Sequence, residues 1–175
     1  MPTGARLIVD LLERQGVEVC FGLPGVHNLA LWEALRDSPI RLVGVRHEQT
    51  AAYAADGYAR ATGRLGVALT TTGPGAANTL GAVGEAWASR SPVLVVATDI
   101  PSALRRPGAY RGVLHETTDQ AAMFAPVVKS THRALVPELV APAAAAAVAE
   151  ASAEPSRPVY LEVATDLLGA DLPAA

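Results

Sequence analysis

The chain has 175 residues and a formal net charge of -3; 50% of its residues are hydrophobic and 18% are charged. These values are typical of one ordinary globular domain, and they exclude an intrinsically disordered chain. The lysines and arginines are scattered, which argues against a nucleic-acid-binding surface, and we expect the one close basic pair, Arg105-Arg106, to lie in a solvated loop.

The amino-terminal segment does not resemble a secretion signal, because Asp10, Glu13 and Arg14 interrupt its apolar residues. No stretch of the sequence reaches the roughly 18 apolar residues that a membrane-spanning helix needs. The single cysteine, Cys20, lies in an apolar run and is expected to be a small buried hydrophobic residue rather than a nucleophile. We therefore predict a soluble protein of the cytoplasm without a membrane partner.

Helices and strands are predicted to alternate along the whole chain. The first helix is capped by Thr3 and ended by Gly16, and the next runs over about 28–36 with Leu29 among its inward-facing residues. Strands are predicted over residues 17–21, 41–45, 66–71, 93–98, 127–133 and 159–163, and further helices over about 48–63, 76–89 and 137–153.

This alternation predicts an α/β fold: an open, mainly parallel sheet of about five or six strands with helices on both faces. We expect the strand at 41–45 to be buried. Prolines break the pattern between 99 and 127, which predicts a long loop with one short helix around 119–123, and loops of that length are usually functional. Since no linker divides the chain, we assign residues 1–163 to one domain and residues 164–175 to a carboxy-terminal tail.

Glu48 is the residue that most needs an explanation. It falls in the first turn of a helix directly after a predicted strand, at the edge of a parallel sheet where ligands bind. A glutamate in a first turn can simply complement the helix dipole. The helix that follows is rich in alanine, however, so we expect it to be covered on all sides and the carboxylate to be partly desolvated. Such a group can share a proton with a ligand base.

Four motifs follow one another along nearly the whole chain: Phe21-Gly22-Leu23-Pro24-Gly25, then Arg46-His47-Glu48-Gln49 running into Ala54-Ala55-Asp56-Gly57-Tyr58-Ala59-Arg60, then Thr72-Gly73-Pro74-Gly75-Ala76-Ala77-Asn78, then Pro158-Val159-Tyr160-Leu161-Glu162. Together they resemble the amino-terminal pyrimidine-binding domain of thiamine-diphosphate-dependent enzymes of the acetolactate synthase and 2-oxoacid decarboxylase group. The resemblance implies thiamine diphosphate as cofactor and a small-molecule 2-oxo acid as substrate. It also implies that Glu48 is the acid that hydrogen-bonds N1′ of the cofactor's pyrimidine ring, while the cofactor itself supplies the difficult chemistry.

Two glycine-proline turns are implied to contact the cofactor. The second of them could instead be a phosphate-binding loop, but the third glycine of a dinucleotide motif is missing and no Walker lysine follows. By resemblance, small residues in this turn let the backbone approach a ring. The cofactor-binding candidates besides Glu48 are Pro24, Gly25, Thr72, Gly73, Pro74 and Asn78.

Substrate selectivity is expected to depend on two loops. Relatives of the pyruvate decarboxylase type carry an acidic residue at the place of Val26 and acetolactate synthases commonly carry glycine, so the resemblance implies a departure from the simple decarboxylase pattern. His27 is a second substrate candidate, although many histidines are purely structural. His115 is the catalytic candidate beside Glu48, since in relatives this loop contributes a Gln or His facing the reacting carbon. His132 is expected to satisfy a local hydrogen bond in a strand.

The sequence lacks the second half of such a site. The resemblance implies that the diphosphate and Mg²⁺ are bound by a domain with a Gly-Asp-Gly motif, and the only Asp-Gly here, Asp56-Gly57, lies inside the Glu48 helix. No acidic cluster has metal-ligand spacing, and no flavin is expected in this chain. Three interpretations stay open: a subunit of a split enzyme, a fragment of a longer enzyme, and a non-catalytic interaction module. The presence of Glu48 argues against the third, and Met1-Pro2 with a finished last strand favours the first.

Association with a partner is the last expectation. Small residues on the helices after Glu48 and Gly75 permit close helix contact but bury little area by themselves. In relatives such helices meet between subunits, so the resemblance implies a homodimer, or a heterotetramer with a diphosphate-binding subunit. The small residues are Ala51, Ala52, Ala55, Ala76, Ala77 and Gly81. Both the identity of the 2-oxo acid and the choice between decarboxylation and carboligation stay open.

Overall fold

Six parallel strands form one open sheet in the order β2-β1-β3-β4-β6-β5, which confirms the predicted α/β class. The structure is a computed structural model that describes residues 1–106 and 108–172; Pro107 of the predicted loop and residues 173–175 of the predicted tail lie outside this part. The strands are β1 (Val19–Gly22), β2 (Arg41–Gly44), β3 (Gly66–Leu69), β4 (Val93–Asp99), β5 (Ser130–Ala134) and β6 (Val159–Ala164). The helices are α1 (Gly4–Arg14), α2 (Leu29–Arg36), α3 (Glu48–Thr62), α4 (Pro74–Ala77), α5 (Leu80–Ala88), α6 (Pro137–Ser152) and α7 (Thr165–Gly169).

Helices cover both faces of the sheet, and each face has its own hydrophobic core. Helices α1, α2, α6 and α7 pack on one face, while α3 and α5 pack on the other. The central strands β4 and β6 are buried along their whole length, because both of their faces are covered. Parallel strands also place all their carboxyl ends at one edge, so the turns that follow β1, β2 and β3 meet there.

Helix α1 shows how the local sequence sets an element. The Thr3 hydroxyl accepts a hydrogen bond from the backbone N–H of Arg6 at 3.2 Å, which satisfies one of the amide groups that every helix start leaves unpaired. Ile8 and Leu12 lie on one face and are buried. Gly16 follows the helix with a φ of +79°, a conformation that costs glycine little. The predicted start and end of this helix are confirmed.

Two predictions about burial were wrong. β2 is the edge strand of the sheet, so Arg41 and Gly44 are exposed rather than buried. Leu29 is 54% exposed, because α2 turns Leu31 and Leu35 toward the core instead. Sequence periodicity over eight residues did not fix which face of this short helix points inward.

The later part of the chain is more structured than predicted. The long loop contains three short 3-10 helices, Ser102–Leu104, Ala121–Met123 and Ala125–Val127, where one was expected. The segment predicted as a tail includes α7, in which Leu167 and Leu168 are buried. Within residues 1–106 and 108–172, no helix has the length and apolar character needed to cross a membrane.

Candidate active site

The carboxylate of Glu48 lies at the carboxyl edge of the sheet. Glu48 is the first residue of α3, and the side chain of His47 caps this helix by accepting a hydrogen bond from the backbone N–H of Gln49 at 3.2 Å. Only 9% of Glu48 is exposed, and its Oε2 accepts a hydrogen bond from Nδ2 of Asn78 at 2.9 Å. No donor among the described residues bonds Oε1. That oxygen can therefore bind a ligand.

Two glycines bring the turns after β1 and β3 together on Thr71. A Cβ atom at Gly25 would lie 2.7 Å from Cβ of Thr71, and one at Gly75 would lie 2.6 Å from its Cγ2 and 3.4 Å from Oε1 of Glu48. The Thr71 hydroxyl is buried and has no hydrogen-bond partner in the described part of the chain. We call Gly25, Thr71 and Gly75 the glycine cradle. It offers backbone and methyl surface next to a carboxylate, which suits a flat ring with a basic nitrogen.

Two of the predicted site histidines, His27 and His115, are in contact. Their rings meet edge to face with centroids 5.9 Å apart. Nδ1 of His27 lies 2.8 Å from Oγ1 of Thr72, which lies 2.8 Å from Oγ1 of Thr98. Burial, followed by the neighbouring His115, lowers the pKa of His27. A neutral imidazole that bonds the Thr72 hydroxyl, and through it the Thr98 hydroxyl, can accept or donate a proton at this edge of the sheet.

The backbone of His115 lies close to Gly73 of the second turn. Gly73 has a φ of +60°, and a Cβ atom there would lie 2.7 Å from the carbonyl oxygen of His115. His115 itself has a φ of +64°, which few residues other than glycine adopt. Non-glycine residues in this conformation often occur at functional sites. The long loop and the second turn therefore form one unit.

The first turn is held by Asn28, which is fully buried. Its Oδ1 accepts a hydrogen bond from the backbone N–H of Gly25 at 2.8 Å, and its Nδ2 donates one to the carbonyl of Leu23 at 3.1 Å. Pro24 is exposed, and Val26 is 63% exposed. The turn thus presents Val26 outward beside His27, and its contact with substrate stays a prediction.

A buried polar network below the second turn was missed by sequence reasoning. Gln120, Tyr160 and Glu162 are fully buried, and Nε2 of Gln120 lies 2.8 Å from the Tyr160 hydroxyl and 3.0 Å from Oε2 of Glu162. Its Oε1 accepts a hydrogen bond from the backbone N–H of Gly73. The sequence did contain one signal for this network: Glu162 lies inside an otherwise apolar predicted strand, and a buried carboxylate needs a hydrogen-bonding or charged partner.

Two ion pairs compensate the buried carboxylates around this network. Nε of Arg133 donates to Oε1 of Glu162 at 2.9 Å, and Arg105 donates to both oxygens of Asp99 at 2.5 and 2.6 Å. Burial, followed by the charge of Asp99, raises the pKa of Glu162. The expectation of a solvated Arg105-Arg106 pair was wrong for Arg105, since its partner Asp99 is fully buried. Arg106 is exposed.

Cys20 and His132 have the structural roles that the sequence predicted. Cys20 is fully buried, and burial raises the pKa of its thiol to about 12, which leaves it unreactive. Nε2 of His132 lies 3.1 Å from Oγ of Ser130 and 3.3 Å from Oε2 of Glu150. Both contacts are to the same ring nitrogen, so this cluster does not have the arrangement of a catalytic triad.

The small residues expected to face a partner mostly face this chain's own core. Ala51, Ala52, Ala55 and Ala76 are at most 1% exposed and belong to the core between α3, α5 and the sheet. Their assignment to an external surface was wrong, although Gly81 is exposed. The described residues contain no group of three or more His, Cys, Asp or Glu side chains that could hold a metal ion.

A comparison with protein families identifies the family of this chain. Residues 2–123 match the family described as thiamine pyrophosphate enzyme, N-terminal TPP binding domain. The chain belongs to this family. The resemblance noted from the four motifs is thus confirmed, and the matched segment includes Glu48, the glycine cradle and both site histidines.

Individual relatives of this thiamine pyrophosphate enzyme domain act on different compounds. A probable 2-ketoarginine decarboxylase, AruI, of Pseudomonas aeruginosa is 44% identical over 168 residues, which is 96% of this chain and 30% of that protein. A probable acetolactate synthase large subunit of Methanocaldococcus jannaschii is 35% identical over 94% of this chain and 27% of its own. The 2-hydroxyacyl-CoA lyase 2 of Bos taurus is 36% identical over 94% of this chain and 25% of its own. The chain thus spans less than a third of the length of these relatives.

Proposed function

We propose that residues 1–163 bind the aminopyrimidine of thiamine diphosphate in an enzyme that decarboxylates or ligates 2-oxo acids, and that Glu48 activates the cofactor. One observation carries this proposal: a nearly buried carboxylate is held by Asn78 through one oxygen and keeps the other available beside a cradle of glycines. A flat heteroaromatic ring with a basic nitrogen fits both features. The bound cofactor would supply a carbon nucleophile and an electron sink for the 2-oxo acid.

Glu48 would hold a proton between Oε1 and the pyrimidine nitrogen. Asn78 fixes the rotation of the carboxylate, because its amide donates to Oε2 and leaves Oε1 aimed away from that bond. Gly25 and Gly75 let the two turns close on the Thr71 side chain, since an added Cβ atom would lie 2.7 Å from it at Gly25 and 2.6 Å from it at Gly75. Burial of the carboxylate strengthens its interaction with the ligand, since water does not compete for it.

His27 and His115 are proposed to serve the substrate. Both lie beside the second turn, which carries Gly75 of the glycine cradle. His27 contacts the Thr72 hydroxyl, and the backbone of His115 lies close to Gly73. The lowered pKa of His27 keeps its imidazole uncharged near neutral pH, so it can accept a proton from a substrate hydroxyl or return one. Val26 lies beside them without a proton to transfer, which favours selection by size at that position.

The diphosphate and Mg²⁺ are proposed to bind to a partner domain on a separate chain. The proposed assembly is a homodimer of this chain or a heterotetramer with the diphosphate-binding subunit, located in the cytoplasm. Support for a partner domain comes from the sequence, which has no Gly-Asp-Gly motif, and from the relatives, which are more than three times as long as the matched region. The alternative is that the partner domain lies on the same polypeptide. An antibody to this domain distinguishes the two on a denaturing gel of lysate from the source cells. A band of 18.0 kDa supports the separate chain, and a band about three times heavier refutes it.

The central test compares two glutamates in equivalent places. Glu48 is in the first turn of α3 and Glu138 is in the first turn of α6, but Glu138 is exposed. In the enzyme reconstituted with its diphosphate-binding domain, Glu48→Gln should slow exchange of the cofactor C2 proton by roughly 10²- to 10⁴-fold, the usual effect of losing an acid-base group. In Glu138→Gln, the cofactor C2 proton should exchange at the wild-type rate. Unchanged exchange in Glu48→Gln would refute the assignment.

A further inference from the structure

Gln120 lies below the second turn and uses both ends of its amide. The side chain is fully buried, and its Oε1 accepts a hydrogen bond from the backbone N–H of Gly73. Its Nε2 lies within hydrogen-bond distance of the Thr98 carbonyl at 2.9 Å, the Tyr160 hydroxyl at 2.8 Å and Oε2 of Glu162 at 3.0 Å. One side chain thus joins the turn after β3 to the ends of β4 and β6.

The Gly73 turn depends on this contact. Gly73 is buried and directly precedes α4, which has only four residues and no side-chain cap of its own. Its amide would have no partner without Gln120, and a buried unpaired N–H is strongly unfavourable. The carbonyl group of His115 lies close to Gly73, and the turn continues directly to Gly75 of the glycine cradle. A shift of Gly73 would therefore move both.

The other end of the network is held by a ring stack and an ion pair. Tyr160 stacks on Phe124 with ring centroids 4.0 Å apart, and Glu162 accepts the hydrogen bond from Arg133 described above. Arg133 is in β5, and Phe124 lies between the two 3-10 helices at 121–123 and 125–127. The amide of Gln120 is thus oriented by β6, and it transmits that orientation to the turn.

We propose that Gln120 is a positioning residue: it holds the Gly73 turn, and through it His115 and the glycine cradle, in the binding geometry before any ligand arrives. Gln120 would not touch cofactor or substrate. Its effect on cofactor affinity rests on the proposed function, whereas its effect on the turn does not. Pre-ordering of this kind raises affinity by reducing the ordering cost of binding.

The first experiment measures hydrogen exchange of the Gly73 amide by NMR in the protein as purified with its partner. Gln120→Met keeps the volume and removes the hydrogen bonds at both ends of the amide, so the Gly73 amide should exchange about tenfold faster while Val95 in β4 stays protected. Tyr160→Phe is the matched control, because it removes a hydroxyl from the same network but leaves the acceptor for Gly73. It should change exchange at Gly73 by less than about twofold.

A second variant covers the event that Gln120→Met does not fold. Gln120→Glu combined with Glu162→Gln exchanges the amide and the carboxyl between the two positions and keeps an acceptor for Gly73. Exchange at Gly73 should then be within about threefold of wild type, whereas Gln120→Glu alone places two carboxyl groups together and should loosen the turn. Protection of Gly73 that survives in Gln120→Met, or that is equally lost in Tyr160→Phe, would overturn the proposal.

The last arm measures the dissociation constant of thiamine diphosphate in the same samples by calorimetry. Binding should be about tenfold weaker in Gln120→Met and near wild type in Tyr160→Phe. A loosened Gly73 turn with unchanged affinity would refute the role in binding. If wild type does not bind the cofactor at all, the proposed function fails, and the exchange data still decide whether Gln120 holds the turn.

Discussion

Gly75→Ala should destabilise the protein and weaken its cofactor site, because the second turn has no room for a methyl group. The added Cβ atom would lie 2.6 Å from Cγ2 of Thr71, 3.2 Å from Oγ1 of Thr70 and 3.4 Å from Oε1 of Glu48. Thr71 cannot yield easily, since Gly25 is also packed closely against its side chain. Overpacking of this kind costs about 1–3 kcal/mol. For a chain of this size, each kcal/mol lowers the melting temperature by about 2–4 °C, which gives a decrease of about 2–12 °C.

Gly57→Ala is the matched control with the opposite sign. Gly57 lies inside α3, is exposed, and has open space where the Cβ atom would be built. Since glycine is about 1 kcal/mol less favourable than alanine in a helix interior, this change should raise the melting temperature by about 2–4 °C. Circular dichroism melts of the three proteins measure both shifts, and titration with cofactor measures the loss at the site. If Gly75→Ala melts at or above the wild-type temperature, the turns are not packed as described.

Three further outcomes are expected. Arg105→Met should cost about 3–5 kcal/mol in urea denaturation, because it leaves the buried Asp99 without its cation, while Arg106→Met should stay within about 0.5 kcal/mol of wild type; equal losses would contradict the ion-pair assignment. Burial lowers the pKa of His27, so its contribution to stability is complete above the unfolded-state pKa of about 6.5 and is lost as pH falls through the lower folded-state pKa. As the pH is lowered from about 7.5 to about 5.5, the melting temperature should therefore fall more in wild type than in His27→Asn. Equal decreases in the two proteins would argue against a lowered pKa of His27. Val26→Asp should shift products toward aldehyde release and Val26→Ala should admit bulkier 2-oxo acids; products identical to wild type across a substrate panel would remove Val26 from the site.

Local chemistry made much of this protein predictable from the sequence. The Thr3 cap, the apolar run at the start of β4, and the Gly turn before α4 depend on neighbours a few residues apart, so they can be predicted without knowing the fold. Glu48 was placed at a strand end for the same reason. Parallel strands bring their carboxyl ends to one edge, and a carboxylate in the first turn after a strand must lie there.

The errors came from features that depend on what covers an element. Alanines at 51, 52, 55 and 76 indicate a close approach, but the sequence does not say whether the neighbour is another subunit or the chain's own sheet. Leu29 and β2 were misjudged for the same reason. Apolar periodicity identifies a face, whereas its partner is set by the packing of distant segments.

The sequence by itself determined the α/β class, the order of the elements, the family and the position of Glu48. Only the tertiary structure decided which polar residues meet. Gly73, Gln120 and Glu162 lie far apart in the chain and come together because β3, β4 and β6 are adjacent in the sheet. A buried amide or carboxylate in a sequence states that a partner is needed, but hydrogen bonds act over about 3 Å, and that distance is fixed by strand order and crossover rather than by spacing along the chain.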